Sequence, residues 1–275
     1  MMKLFGWVLY VVPKKALSYF FGVFARWRHP KLLIRIVIRV FAKLYRLNMS
    51  EAKKPLESYQ SLDDLFTREL IPQARPIGDG LVHPADSELR SRGLVQDGTM
   101  IQAKGFSYTL GELLGDELIA KNFEGGVYLT YYLCPTDYHR VHSPFSADVS
   151  RVTYLPGALW PVNDWSVNRI DRLFAVNERL VVYLDSPQGK AALVMVGATN
   201  VGRMTLSFDD QFLTNQGLFS ARREDKLYAP HPKLKKGDHL GTFHMGSTVV
   251  LVYEKSLLNQ IPGPQNSFVK FGESL

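Results

Sequence analysis

The chain has 275 residues, 46% of them apolar, with a net charge of +7 and one cysteine. That length suffices to bury a real core in one large domain or two small ones. The lone Cys134 excludes an intrachain disulfide framework and any multi-cysteine metal site. It fits a reducing compartment, and its apolar run makes it a buried structural thiol in expectation.

The charge is not evenly spread. Residues 1–50 hold ten Lys/Arg and no Asp or Glu, so the remaining 225 residues carry 23 basic and 26 acidic groups. A basic foot on a mildly acidic body points to an anionic surface, either membrane or nucleic acid. The character of the foot favours membrane. Residues 4–12 and 16–25 are two uncharged runs split by Pro13-Lys14-Lys15, each too short to cross a bilayer as a helix. In residues 31–46, Lys31, Arg35, Arg39, Lys43 and Arg46 recur every three or four positions among Leu, Ile, Val and Phe. That spacing predicts a basic amphipathic helix lying in a lipid interface; the competing reading is a helix packed on the protein's own core. Arg26-Trp27-Arg28 after the second apolar run argues against a cleaved signal peptide. Residues 1–48 are therefore expected to form a membrane-associated foot, and residues 49–275 the body.

Ser61–Leu70 predicts a short helix capped by Ser61, with Asp64 three residues on. Pro72 and Pro76 begin an extended path. Residues 127–133, 180–184, 192–196 and 249–253 are rich in β-branched and aromatic residues between turn formers and predict strands. Gly111–Gly115 suggests a helical turn, and Lys236-Gly237-Asp238 a tight turn before the strand entering Gly246. The fold class expected is α+β, a mostly antiparallel β body with a few short helices behind amphipathic N-terminal helices.

The chemistry concentrates in few places. In His244-Met245-Gly246-Ser247-Thr248, Gly246 leaves its carbonyl uncrowded and Ser247 supplies a hydroxyl to attack it. An acyl shift and elimination there would leave a chain beginning with a pyruvoyl group. The same tripeptide also suits an ordinary bend beside a strand. Asp86, in His83-Pro84-Ala85-Asp86, suits an Asx turn. His139 and His142 flank Arg140 after a strand; residues three apart in an extended chain face opposite ways, so serving one pocket requires a bend. As zinc ligands they lack a clear further partner, and no metal is expected. A serine needs an imidazole to take its proton and a carboxylate to orient that imidazole, so Asp86, His142 and Ser247 form one candidate triad among many Asp/His/Ser choices. Arg140 reads either as a structural cation or as a ligand of a substrate phosphate or carboxylate.

From about residue 58 to 254 the chain resembles the phosphatidylserine decarboxylases. The resemblance rests on Asp64-Leu65-Phe66-Thr67-Arg68-Glu69-Leu70, Ala74-Arg75-Pro76-Ile77, Pro84-Ala85-Asp86, Lys104–Leu110, Tyr131–Pro144, Asn177-Glu178-Arg179, Val196–Gly202 and Phe243–Thr248. It implies a pyruvoyl enzyme that cleaves itself between Gly246 and Ser247 into a large chain, 1–246, and a small chain, 247–275. It further implies that Asp86, His142 and Ser247 drive the cleavage and that His139 assists decarboxylation. Phosphatidylserine would be converted to phosphatidylethanolamine through a Schiff base on the pyruvoyl group. His244 and Cys134 depart from the usual pattern without touching an assigned role. A homodimer on an anionic phospholipid surface, at the cytoplasmic face of a membrane (the inner one in a bacterium) and without nucleic acid, is the expected setting. Competing readings are a membrane-bound serine hydrolase using Asp86, His142 and Ser247 without self-cleavage, and a non-catalytic lipid-binding protein. The hydrolase lacks a Gly-x-Ser-x-Gly elbow.

Overall fold

The computed structural model describes residues 13–103, 106–199, 203–212, 214, 222–244 and 247–275, without the side chains of Ala103 and Ser247. The apolar run 4–12, Lys104-Gly105, Asn200–Gly202 and Met245-Gly246 lie outside the described residues.

Two helices lead, α1 (Lys14–Ala25) and α2 (Lys31–Leu44). The short α3 (Leu62–Phe66) follows, with Ser61 Oγ accepting the Asp64 N–H at 3.0 Å as its cap. The helix stops four residues earlier than its sequence suggests. Thr67 Oγ1 turns back onto the Asp63 carbonyl, and Lys53 N–H pairs with the Glu69 carbonyl, drawing 69–70 into a bridge with 52. Strands then dominate: β1 (Ser87–Leu94), β2 (Thr99–Ala103), β3 (Phe106–Thr109), α4 (Leu110–Leu114), β4 (Val127–Leu133), β5 (Arg140–His142) and β6 (Ala147–Leu155). After them come β7 (Arg179–Ser186), β8 (Gly189–Val196), β9 (Arg203–Leu206), β10 (Glu224–Leu227), β11 (Lys233–Leu234), β12 (His239–His244), β13 (Ser247–Tyr253) and β14 (Ser267–Val269).

Among the described residues the main sheet is antiparallel, in the order β10-β6-β7-β8-β13-β4-β1-β14, with β11 also on β6. Its central strands are covered on both faces, which explains their nearly unbroken apolar sequences. Along β13, Val249, Leu251 and Tyr253 enter one core while Val250 and Val252 enter the other, as the two-residue period of a strand requires. The first core is shared with a three-stranded sheet, β5-β12-β9, through Val141, Met204, Leu240 and Phe243. The second is closed by α4, which a Thr109–Glu112 capping box starts and Gly115, at φ 67°, ends. Helix α2 buries Ile34, Ile38 and Ala42 against Tyr59 and Leu65, so the packed-helix reading holds for that face. Leu32, Leu33, Ile36, Val40 and Leu44 on its far side are exposed.

Candidate active site

Strand order brings the sequence candidates to one end of the β4–β13 pair. Ser247 opens β13 opposite Leu133, the last residue of β4. Thr248 pairs with Tyr132 on one side and Val196 on the other. Beyond Leu133 the chain turns tightly, with Asp137 N–H donating to the Cys134 carbonyl (2.9 Å) and Cys134 N–H to Asp137 Oδ2 (2.7 Å). Cys134 is half-buried rather than fully enclosed. Burial pushes the Asp137 carboxyl up to about 6.

His139 follows this turn and is fully buried. Its carbonyl accepts the Phe243 N–H at 3.0 Å, which fixes it beside β12 three residues before Gly246. Its Nδ1 lies 2.9 Å from the Asp137 carbonyl; a carbonyl only accepts, so Nδ1 carries the proton. Nε2 therefore presents a lone pair, and it is buried without a partner among the described residues. The ring packs on Phe66, with centroids 3.9 Å apart. Burial lowers the His139 pKa to about 3, so the ring is neutral at pH 7.

His142 belongs to a neighbouring cluster. It stands in β5 opposite His239 of β12, and its N–H donates to the Pro84 carbonyl at 2.8 Å. Nδ1–H donates to the Gly237 carbonyl at 2.8 Å, and Nε2 faces the Tyr138 hydroxyl at 3.0 Å. Gly237 holds φ 84° in the predicted turn before β12, a conformation that suits glycine. Phe271 stacks on the imidazole at 3.6 Å. Burial lowers the His142 pKa to about 3 as well.

Asp86 sits in the bend before β1, buried, but not as an Asx turn. Arg75 Nε reaches both carboxylate oxygens (2.9 and 3.1 Å), Arg75 Nη2 reaches Oδ2 at 2.5 Å, and Phe271 N–H donates to Oδ1 at 2.9 Å. Arg75 also reaches Glu51 at 2.8 Å. Asp86 and His142 thus share Phe271, which bonds one through its main chain and stacks on the other. No hydrogen bond joins them among the described residues. The orienting acceptor expected of Asp86 is supplied by Gly237, because Arg75 and Phe271 already engage the carboxylate. His139 and His142 hold separate hydrogen-bond partners, the Asp137 carbonyl for one and the Gly237 carbonyl and Tyr138 hydroxyl for the other.

Arg140 Nε donates to the Thr67 carbonyl (3.0 Å) and Nη2 pairs with Glu69 (3.2 Å). The arginine that sequence reasoning passed over is Arg68, 5% exposed. Its Nη2 lies 3.2 and 3.4 Å from the Thr136 and Asp137 carbonyls, while Nε and Nη1 are buried without partners among the described residues. On the opposite face of the main sheet, a cavity of about 340 Å³ is lined by Thr248, Thr130, Tyr132 and Gln102; neither His139 nor His142 borders it. His244, the last described residue before Gly246, pairs with Asp63 at 2.9 Å.

Comparison with known proteins bears on what this geometry serves. A family model described as "Phosphatidylserine decarboxylase" matches residues 62–275, and one described as "PSD" matches residues 4–46. A phosphatidylserine decarboxylase proenzyme of Anaeromyxobacter sp. (strain K) is 43% identical over 256 residues, covering 92% of this chain and 90% of its own. The protein of that name from Myxococcus xanthus is 42% identical over 252 residues, covering 90% and 88%. The one from Brevibacillus brevis is 39% identical over 246 residues, covering 88% and 85%.

Proposed function

The chain belongs to the phosphatidylserine decarboxylase family, and we propose that it converts phosphatidylserine to phosphatidylethanolamine on a pyruvoyl group made from its own Ser247. The observation that carries this reading is the register of β13. Ser247 is the first residue of a central strand, so the bond before it can break while every pairing from Thr248 to Tyr253 with β4 and β8 remains. A cut elsewhere in that strand would sever the core.

In self-cleavage the Ser247 hydroxyl adds to the Gly246 carbonyl, and the amide becomes an ester. Elimination then frees the Gly246 carboxylate, and water replaces the nitrogen, which leaves as ammonia. We assign the proton transfers to His142, with Asp86 fixing its surroundings through Phe271. The tautomer supports this, since Gly237 holds the proton on Nδ1 and leaves Nε2 as the base. Serving Ser247 would require Nε2 to exchange the Tyr138 hydroxyl for it.

The pyruvoyl group, once present, supplies the electron sink for the bond that releases carbon dioxide. His139 is then the group to return a proton to the α carbon. Its Nε2 has no partner among the described residues, and an imidazole depressed by burial gives up a proton readily after gaining one. The exposed apolar side of α2, flanked by Arg35, Arg39 and Lys43, supports a position on an anionic membrane surface, where we infer the substrate's acyl chains remain. The large and small chains of one precursor, paired as a homodimer on the cytoplasmic face, complete the proposal.

Intact mass spectrometry tests it. The expected result is two species, with the 29-residue chain 247–275 lighter by ammonia than a serine-initiated peptide. Ser247→Ala should remain one chain and release no carbon dioxide. A wild-type chain that stays whole yet reacts with serine-directed probes would favour the hydrolase.

A further inference from the structure

Arg68 is the most anomalous charge in the molecule. A buried guanidinium ordinarily has its donors matched, yet Arg68 forms no ion pair among the described residues. Among the described residues Nε and Nη1 have no partner, and Nη2 has only two main-chain carbonyls at 3.2 and 3.4 Å. One of those carbonyls, that of Asp137, also accepts Nδ1–H of His139, whose own Nε2 is an unpartnered acceptor. Two orphan donors and one orphan ring nitrogen thus belong to a single hydrogen-bonded unit, walled by Phe66. The complement of such a unit is an oxyanion on a molecule that also presents a reacting atom to His139.

Resting on the function proposed above, the geometry points to Arg68 as the residue that binds the phosphodiester of the lipid headgroup. The headgroup offers two oxyanions, and chemistry chooses between them. The carboxylate must lose its charge as carbon dioxide leaves, so a guanidinium clamped on it would stabilise the ground state more than the transition state. The phosphodiester keeps its charge throughout. It is also separated from the serine α carbon only by a methylene and an ester oxygen, so a group at Arg68 leaves that carbon near His139. A contact held equally before and during the reaction acts on KM rather than kcat.

The test uses Arg68→Gln and Arg68→Lys in the full chain, with decarboxylation of phosphatidylserine in mixed micelles and inhibition by phosphatidylethanolamine, which retains the phosphate and lacks the carboxylate. Arg68→Gln should still cleave itself, keep kcat within about threefold, and raise KM at least tenfold. The inhibition constant of phosphatidylethanolamine should rise by the same factor, and Arg68→Lys should recover part of both losses. A raised KM with unchanged inhibition would assign Arg68 to the carboxylate and overturn the proposal, as would unchanged values of both. If Arg68→Gln fails to cleave, Arg68→Lys decides by the same two constants. Failure of both to cleave would make Arg68 a structural residue. An uncleaved, inactive wild type would instead bring down the underlying function, and this inference with it.

Discussion

Buried histidines set the acid stability of the body. Burial lowers His83 and His239 to about 4, and His139 and His142 to about 3. The unfolded chain, with ordinary imidazoles near 6.5, therefore takes up protons first as pH falls. Stability is complete above that value and is lost progressively toward pH 4, by ~2 kcal/mol per histidine at pH 5. Asp137 works in the opposite sense. Its carboxyl is raised to about 6, so what it contributes at low pH is lost as pH rises through 6, at most ~3 kcal/mol. Four groups outweigh one, and urea midpoints at constant ionic strength should rise from pH 5 to pH 7 and then level. A midpoint that falls over that interval would mean these rings are not buried neutral. Asp86, His139 and His142 were all legible as polar residues in special positions, but their partners were not. Arg75 meets Asp86 only because the chain bends back after Pro76, and Gly237 meets His142 through a strand pairing 95 residues away in sequence. Arg140 drew notice by standing between two histidines, whereas Arg68 drew none, because its orphaned donors exist only in three dimensions.

At the scale of elements, legibility followed burial. The runs 127–133, 180–184, 192–196 and 249–253 all lie within strands, because two covered faces demand continuous β-branched and aromatic residues. Strands β5, β10 and β11 were unreadable, being two to four residues long and rich in charge. Helix α3 was legible from its cap and misjudged in length, since side-chain and tertiary hydrogen bonds ended it. The central position of β13 carries a consequence for the cleavage proposed above. Seven residue pairs with β4 and six with β8 hold it, so the small chain should co-elute with the large one under native conditions and separate only on unfolding. Leu251 is fully buried in that strand. Leu251→Ala should cost ~2–5 kcal/mol through the cavity it opens, measured as a lower urea midpoint. An unchanged midpoint would show that the face of the strand carrying Leu251 is not packed.

At the scale of the whole molecule, the membrane position proposed above would join a mildly acidic body to lipid through helix α2. Helix α2 has three sides with separate tasks. Ile34, Ile38 and Ala42 are spent on the body, and Lys31, Arg35, Arg39 and Lys43 form a cationic flank. Leu33, Ile36 and Val40 are 47%, 49% and 57% exposed, and none of the three belongs to a core cluster among the described residues. No described helix is long and apolar enough to cross a membrane, and an exposed apolar side beside a cationic flank is what the proposed interfacial position would require. Charge alone would attract the foot from solution and fade with salt, whereas inserted side chains would hold it. Replacing Leu33, Ile36 and Val40 together by Ser leaves every charge and the packed face intact. It should weaken binding to vesicles containing phosphatidylglycerol by ~3 kcal/mol, on the order of a hundredfold, and make the residual binding salt-sensitive. Activity on detergent-dispersed substrate should survive, because the three residues lie outside the face of α2 that packs on the body. Equal vesicle binding by the variant and the wild type would mean that the cations act alone and that the apolar side serves another surface.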